Sequence, residues 1–496
     1  MSIFKNYKYI FYDLETTGQN ACFDQVIRFA AKETDCQLNI LKHHNIDIKL
    51  RNDIIPHPKA LLVNRLSINQ IKIGQNEYEA FKEIHHIMNQ PNSINIGYNS
   101  LSFDDTFLRF GFYRNLFDPY SHQYKNNNFR ADLYKMIMVY YLYKKDQSII
   151  WPTPNNRLSL RLEQINAINK LYEGMSHDAE VDVFVTIELA KKLRNIDEKM
   201  WDYLISSFKT DNDRNFFTKL PDLVCIDDSK YKIGVYVSNK NGLQSNYVSP
   251  IIELCTAYEN QHKKDKKKKL LRLDMYDLSE FTEDNIVQKI EKGIITKTFG
   301  EPNFILPFSD KYLRVFNENI VGLAKSNLTW LKHNPNALLK LIEKHQNKNF
   351  EESDIELDLD ASLYSSGFFT KEENFLSKEF HNSNQLQKID MINSMNEKDS
   401  SKRILKLIKR ILGRHFFEFL NEDLQDEYQQ YLSIIHHKKP STVDYKGKLR
   451  TDPNLILKET RELLKNSNNS SEDNHILNQL ESLIEEKIQT QQDLGF

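Results

Sequence analysis

Two carboxylates stand where they could share a cation. In FYDLETTG (11–18), Asp13 and Glu15 are two residues apart, and YKYIFYD (7–13) has the aromatic, β-preferring composition of a buried strand. Side chains alternate along a strand, so both acids emerge on one face. Like charges so placed repel unless a cation lies between them, and hard oxygen donors suit Mg²⁺ or Mn²⁺. Taken alone, the pair more often marks two solvated acids at a surface strand end.

Two further stretches carry acids at telling places. In IGYNSLSFDDTFLRFGF (96–112) a strand ends in a polar turn and Asp104-Asp105 opens a helix. Adjacent helical residues diverge by about 100°, so only one of them can face a shared ion, and Asp104 is favoured. An acid in a first turn also simply favours the helix dipole. In SHDAEVDVFVTIELAKKL (176–193), His177 and Asp182 are five apart. On one continuous helix they would point roughly 140° apart. Asp182 therefore fits the helix and His177 a mobile loop entering it, with Asp178 and Glu180 as first-turn acids. A lone histidine is otherwise ordinary surface.

The elements that must position these residues alternate between strand and helix. Strands are expected at 7–13, 25–34, 44–50 and 94–98, with helices at 79–89, 104–115, about 159–171 and 178–194. That pattern gives an α/β domain ending near residue 195. The middle, about 200–350, reads as β-rich: YKIGVYVS (231–238) is strand-like and FILPFSDKYLRVF (304–316) hairpin-like. The run KKDKKKK (263–269) reads as a solvated loop insertion or, less often, a DNA-contacting patch. From about 355 the chain reads helical, with loops near 393–401 and 466–474 and an apolar stripe at 476, 477, 480, 483 and 484.

Composition sets outer limits. The chain has 496 residues, 40% hydrophobic, with a formal net charge of −2. That length suggests two to four domains. No apolar run reaches membrane-spanning length, and no secretory leader is expected at the N-terminus. Cys22, Cys36, Cys225 and Cys255 form no CxxC pair and fit a reducing cytoplasm. A near-neutral chain that bound a polyanion would have to gather its cations along one groove.

Taken in order, D-x-E, then Phe103-Asp104, then His177 and Asp182 resemble the DEDDh family of 3′→5′ exonucleases, which has a DnaQ-like, RNase H-related fold. The resemblance implies that Asp13, Glu15, Asp104 and Asp182 bind two metal ions, Mg²⁺ with Mn²⁺ able to substitute. It implies that His177 is the general base. A bare domain of that family needs about 180 residues, so the chain has much to spare. FYRN (112–115), DPY (118–120), IIWP (149–152), RLSLRLEQI (157–165), HDAEVDVFVTIELAK (177–191) and LYSSGFF (363–369) are similar to the exonuclease I branch.

That closer resemblance implies an exonuclease domain (1–195), an SH3-like domain (198–350) and a helical C-terminal domain (354–496) forming a C-shaped clamp. It implies a cytoplasmic monomer that degrades single-stranded DNA processively to 5′-mononucleotides in repair and recombination. Arg161, Arg109, Tyr120 and Tyr124 match substrate-contacting positions, as does metal ligand Glu15. Met138 falls near a position where relatives can carry a basic residue. The acidic tail of single-stranded DNA-binding protein is a further implied partner. An RNA-trimming relative and a clamp that has lost catalysis remain the alternatives; the large C-terminal extension disfavours the first, and retention of all four acids and the histidine disfavours the second.

Overall fold

In the computed structural model the described residues are 4–145, 148–174, 178–225, 228–242, 247–257, 267–283, 285–301, 303–346, 357–394, 402–436 and 442–493. They form two compact units, each assembled from separated segments. One comprises Asn6–Asn128, Glu173–Phe184 and Asp354–Phe496; the other comprises Met1–Lys5, Phe129–Tyr172 and Val185–Ser353.

The first unit is built on strands β1 (Lys8–Thr16), β2 (Val26–Thr34), β3 (Ile40–Asp47) and β4 (Ser93–Gly97), in the order β3-β2-β1-β4. β1 pairs antiparallel with β2 and parallel with β4. β1 and β2 are buried along nearly their whole length, so apolar residues fall at consecutive as well as alternate positions, and the charged residues among them are enclosed by the fold. The helices Glu77–Met88 and Asp104–Arg114 fall within two residues of the expected bounds. They meet closely at Gly111, where an added Cβ would lie 2.0 Å from the Phe81 ring.

This core is completed by the far end of the chain. Ile10, Tyr12, Phe29 and Phe107 share one apolar cluster with Leu407, Ile408, Ile411 and Leu412 of the Lys402–His415 helix. Beside it lies a buried ion-pair network. Arg51 donates to Asp53 (2.8 Å) and Glu77 (2.7 Å), and Arg414 Nε donates to Asp53 Oδ2 (3.0 Å) while its terminal nitrogens reach Asp360. The surrounding guanidinium groups hold the Asp53 and Asp360 carboxyls well below the usual range, against the opposing effect of burial. The closing helix Ser471–Asp493 buries the expected stripe, Ile476, Leu477, Leu480, Leu483 and Ile484. The expected 466–474 loop is cut short by that helix. Most of the expected 393–401 loop lies outside the described residues.

The second unit holds β5 (Phe129–Asp132) and β6 (Asp222–Val224), β7 (Lys230–Val237), β8 (Val248–Ala257), β9 (Lys267–Arg272), β10 (Ile294–Thr298) and β11 (Phe304–Pro307). The strands β10-β9-β8-β7-β11 form an antiparallel sheet, and β6 pairs with β7. Three expectations are corrected here. The middle is not mainly β: Glu318–His333 and Pro335–Gln346 are helices, packed through Ala324, Leu328, Leu338 and Leu341 against the sheet's apolar face. FILPFSDKYLRVF is a strand followed by a short helix, Asp310–Leu313, because Ser309-Asp310 starts a helical turn where a hairpin would need to reverse. Lys267–Lys269 of the lysine run lie on β9, with Lys268 paired to Glu253 at 2.8 Å and Lys269 donating to Thr296 at 2.8 Å. Residues 263–266 lie outside the described residues. No helix among the described residues is long and apolar enough to cross a membrane.

Candidate active site

Three stretches of chain meet at one end of β1. Parallel pairing sets Phe11 beside Ile96, so the chain leaving β4 arrives next to Asp13. Gly97 permits this approach: a Cβ there would lie 2.6 Å from Ser100 Cβ and 3.0 Å from the Tyr12 carbonyl oxygen. Asn99 takes a left-handed turn (φ 60°), a conformation asparagine tolerates, and the helix then opens at Asp104. Asp182 lies in the first turn of the Ala179–Ile196 helix, which Asp178 begins by accepting hydrogen bonds from Glu180 N (2.9 Å) and Val181 N (3.3 Å).

The four acids act on one another. Burial, then the charges of Asp104, Glu15 and Asp182, push the Asp13 carboxyl well above its ordinary range. Burial, then Asp182 and Asp104, push Glu15 up to about 8, with Arg28 opposing. Asp104 is 5% exposed and Glu15 7%. Hard oxygen donors clustered in a low-dielectric pocket fit divalent cations, which would relieve their repulsion. Among the described residues, no three such groups already surround a common point as ligands.

Asp105 faces elsewhere. It is fully buried, accepting from His122 Nε2 (2.9 Å) and pairing with Arg109 (2.6 Å). Arg109 is thus largely committed inside the protein, 5.5 Å from the Tyr120 ring. Tyr120 and Tyr124 line a hollow of about 210 Å³ with Asp118, Leu363, Phe368 and Phe369. Tyr124 is exposed and donates to Asp118 Oδ2 at 2.8 Å. Arg161 is exposed at the start of the Leu162–Asn169 helix, in the other unit from the four acids. Met138 is buried inside the Leu133–Lys144 helix of that same unit, a place where a basic side chain would be costly. His177 lies outside the described residues.

Some features escaped the sequence reading. A cavity of about 660 Å³ opens beside Glu15 and Thr16, walled by Phe103, His57, Asn64 and, from the C-terminal region, Lys448 and Arg450. Nothing local to those last residues marks them. Phe368 is 74% exposed, and its ring meets the Tyr120 ring. The LYSSGFF motif signalled that stretch without showing which ring faces outward.

Residues 10–190, which hold the sheet β3-β2-β1-β4 and the four acids, match the family model described as Exonuclease (RNase_T). Beyond that domain, the chain resembles exodeoxyribonuclease I over most of its length. It is 28% identical over 450 residues to exodeoxyribonuclease I of Buchnera aphidicola subsp. Schizaphis graminum, covering 85% of this chain and 86% of the relative. It is 28% identical over 381 residues to that of Escherichia coli strain K12, covering 73% and 76%. The fold matches E. coli exonuclease I in complex with a dA16 oligonucleotide, at TM-score 0.81 and 22% identity over 97% of this chain and 100% of that one. It also matches a structure of SSB/exonuclease I in complex with an inhibitor, at TM-score 0.78 and 22% identity over 97% and 99%.

Proposed function

We propose that this protein is a 3′→5′ exonuclease that shortens single-stranded DNA to 5′-mononucleotides, in the manner of the exodeoxyribonuclease I proteins it resembles. The observation that supports the reading is that the segments bearing Asp13 and Glu15, Asp104, and Asp182 converge at the end of β1. These acids would hold two divalent ions, Mg²⁺ by preference. Once bound, such ions would supply polarisation of a water molecule and neutralisation of the charge on the phosphate being cleaved.

The chain's own groups do the rest. The cavity beside Glu15 and Thr16 has room for the terminal nucleotide, with Phe103 and Leu14 offering apolar surface to a base. His177 takes a proton from the attacking water, a task suited to an imidazole near neutral pH. Arg161 clamps a phosphate through paired hydrogen bonds. Tyr120 and Tyr124 stack on bases without reading sequence, with Arg109 supporting Tyr120. We read residues 1–195, 198–350 and 354–496 as the exonuclease, SH3-like and C-terminal domains of a cytoplasmic monomer. Its setting is DNA repair and recombination, with single-stranded DNA-binding protein as a partner.

The test is digestion of a 3′-end-labelled DNA oligonucleotide, single-stranded or blunt duplex, with and without Mg²⁺, beside a matched RNA. Mg²⁺-dependent release of mononucleotide from the DNA single strand is expected. Faster loss of RNA, or turnover in excess EDTA, would overturn the proposal.

A further inference from the structure

The sheet face that carries the acids also carries two cations, and both reach the turn that bears Asp182. Across β1 and β2 the register is Phe11 to Lys32, Asp13 to Ala30 and Glu15 to Arg28. Residues 28, 30 and 32 therefore share one face. The Lys32 side chain is 1% exposed; its Nζ donates to Glu180 Oε1 at 2.5 Å and lies 4.3 Å from the centre of the Phe184 ring. Arg28 donates to Asp47 at 2.7 Å and has a terminal nitrogen 3.6 Å from Asp178 Oδ2. Phe184 also rests on His43 of β3, the residue opposite Lys32, with ring centres 5.9 Å apart.

A buried lysine on a central strand is expensive and gives no packing that methionine would not. Its partners offer a reason for it. Asp178, Glu180 and Phe184 flank Asp182 on the first turns of its helix, so each contact fixes how that helix stands on the sheet. We propose that Lys32, assisted by Arg28, is a positioning residue for the metal centre: it clamps the first turn of the Asp182 helix to β2, so that the Asp182 carboxylate meets Asp13 and Glu15. This rests on the reading of the four acids as a metal site.

The experiment titrates Mn²⁺ into the full chain without DNA, followed by the electron paramagnetic resonance of free Mn²⁺, together with steady-state digestion of an oligonucleotide. Lys32→Met keeps the packing and leaves Glu180, 40% exposed, to water. In that variant, Mn²⁺ binding is expected to weaken and kcat to fall by about tenfold or more, as for other residues that orient metal ligands. KM for the oligonucleotide should stay within about twofold, because the clamp touches no nucleotide. Lys32→Arg should restore most of both. A folded Lys32→Met with unchanged Mn²⁺ affinity overturns the proposal, as does a Lys32→Arg as impaired as Lys32→Met. If Lys32→Met does not fold, Glu180→Gln takes its place: weaker Mn²⁺ binding supports the clamp, and unchanged binding overturns it. An unmodified chain that binds no Mn²⁺ and digests no DNA would instead sink the parent reading.

Discussion

The ring of Phe368 meets the ring of Tyr120 edge-on, their centres 5.5 Å apart, although the two residues belong to separate segments of the first unit. Phe368 is otherwise exposed, so little in the folded protein accounts for a large ring there. Replacing it with alanine should weaken binding of a labelled single strand in EDTA by about tenfold, the loss of roughly one base stack. Fluorescence anisotropy measures this, and kcat at saturating DNA should change little. Unaltered affinity would remove the hollow around Tyr120 and Tyr124 from the strand's path.

Asp104 and Asp105 are chain neighbours with opposite expected phenotypes. Asp104→Asn should abolish nucleotide release while leaving the melting temperature unchanged or raised, because a repelling charge is removed. Asp105→Asn strips a buried carboxylate from His122 and Arg109. It should destabilise the fold by about 3–5 kcal/mol while the residual folded fraction keeps its metal-dependent activity. Calorimetry and digestion of the same samples separate the two outcomes.

Acid should loosen the junction between the early and late parts of the first unit. His381 stacks on Phe117 at 4.1 Å, stands 2.9 Å from the Tyr78 hydroxyl and donates to the Leu116 carbonyl at 3.1 Å. Burial holds its pKa down to about 4, from 6.5. A depressed histidine contributes stability that is whole above the unfolded value and is lost as pH falls towards the folded one. The window is therefore pH 6.5 down to 4, with about 2 kcal/mol gone by pH 5. Thermal melts across that range should fall, and His381→Gln should flatten the slope.

Arg414 closes the buried network on Asp53 and Asp360. Arg414→Met leaves both carboxylates without their principal cation and should cost about 3–5 kcal/mol. For the same reason, a fragment ending at residue 195 should not yield a stable nuclease, since the face that receives Lys402–His415 would be bare. A soluble, cooperatively melting fragment with Mg²⁺-dependent activity would contradict this.

The fold was legible where one local period governed it. Asp13 and Glu15 share a face because strands alternate, and the buried stripe from Ile476 to Ile484 followed from helical spacing. Helical geometry says that Asp104 and Asp105 cannot face one point together, and Asp105 turns to His122. Legibility failed where distant partners decide. The Glu318–His333 segment reads as part of a β-rich middle because strand-like stretches flank it, although Ala324, Leu328 and Leu331 recur at helical spacing and pack as a helix on the sheet. Arg450 walls the cavity beside Glu15 from far along the chain, and no neighbour in sequence announces it.

The interleaving of early and late segments has a consequence for synthesis. Asp53 obtains Arg414 only 361 residues later. At ordinary translation speeds that interval is roughly 20–70 s. A nascent chain on the ribosome therefore carries all four acids long before it has the helices that complete their core. The cell would meet a competent nuclease only once nearly the whole polypeptide has emerged.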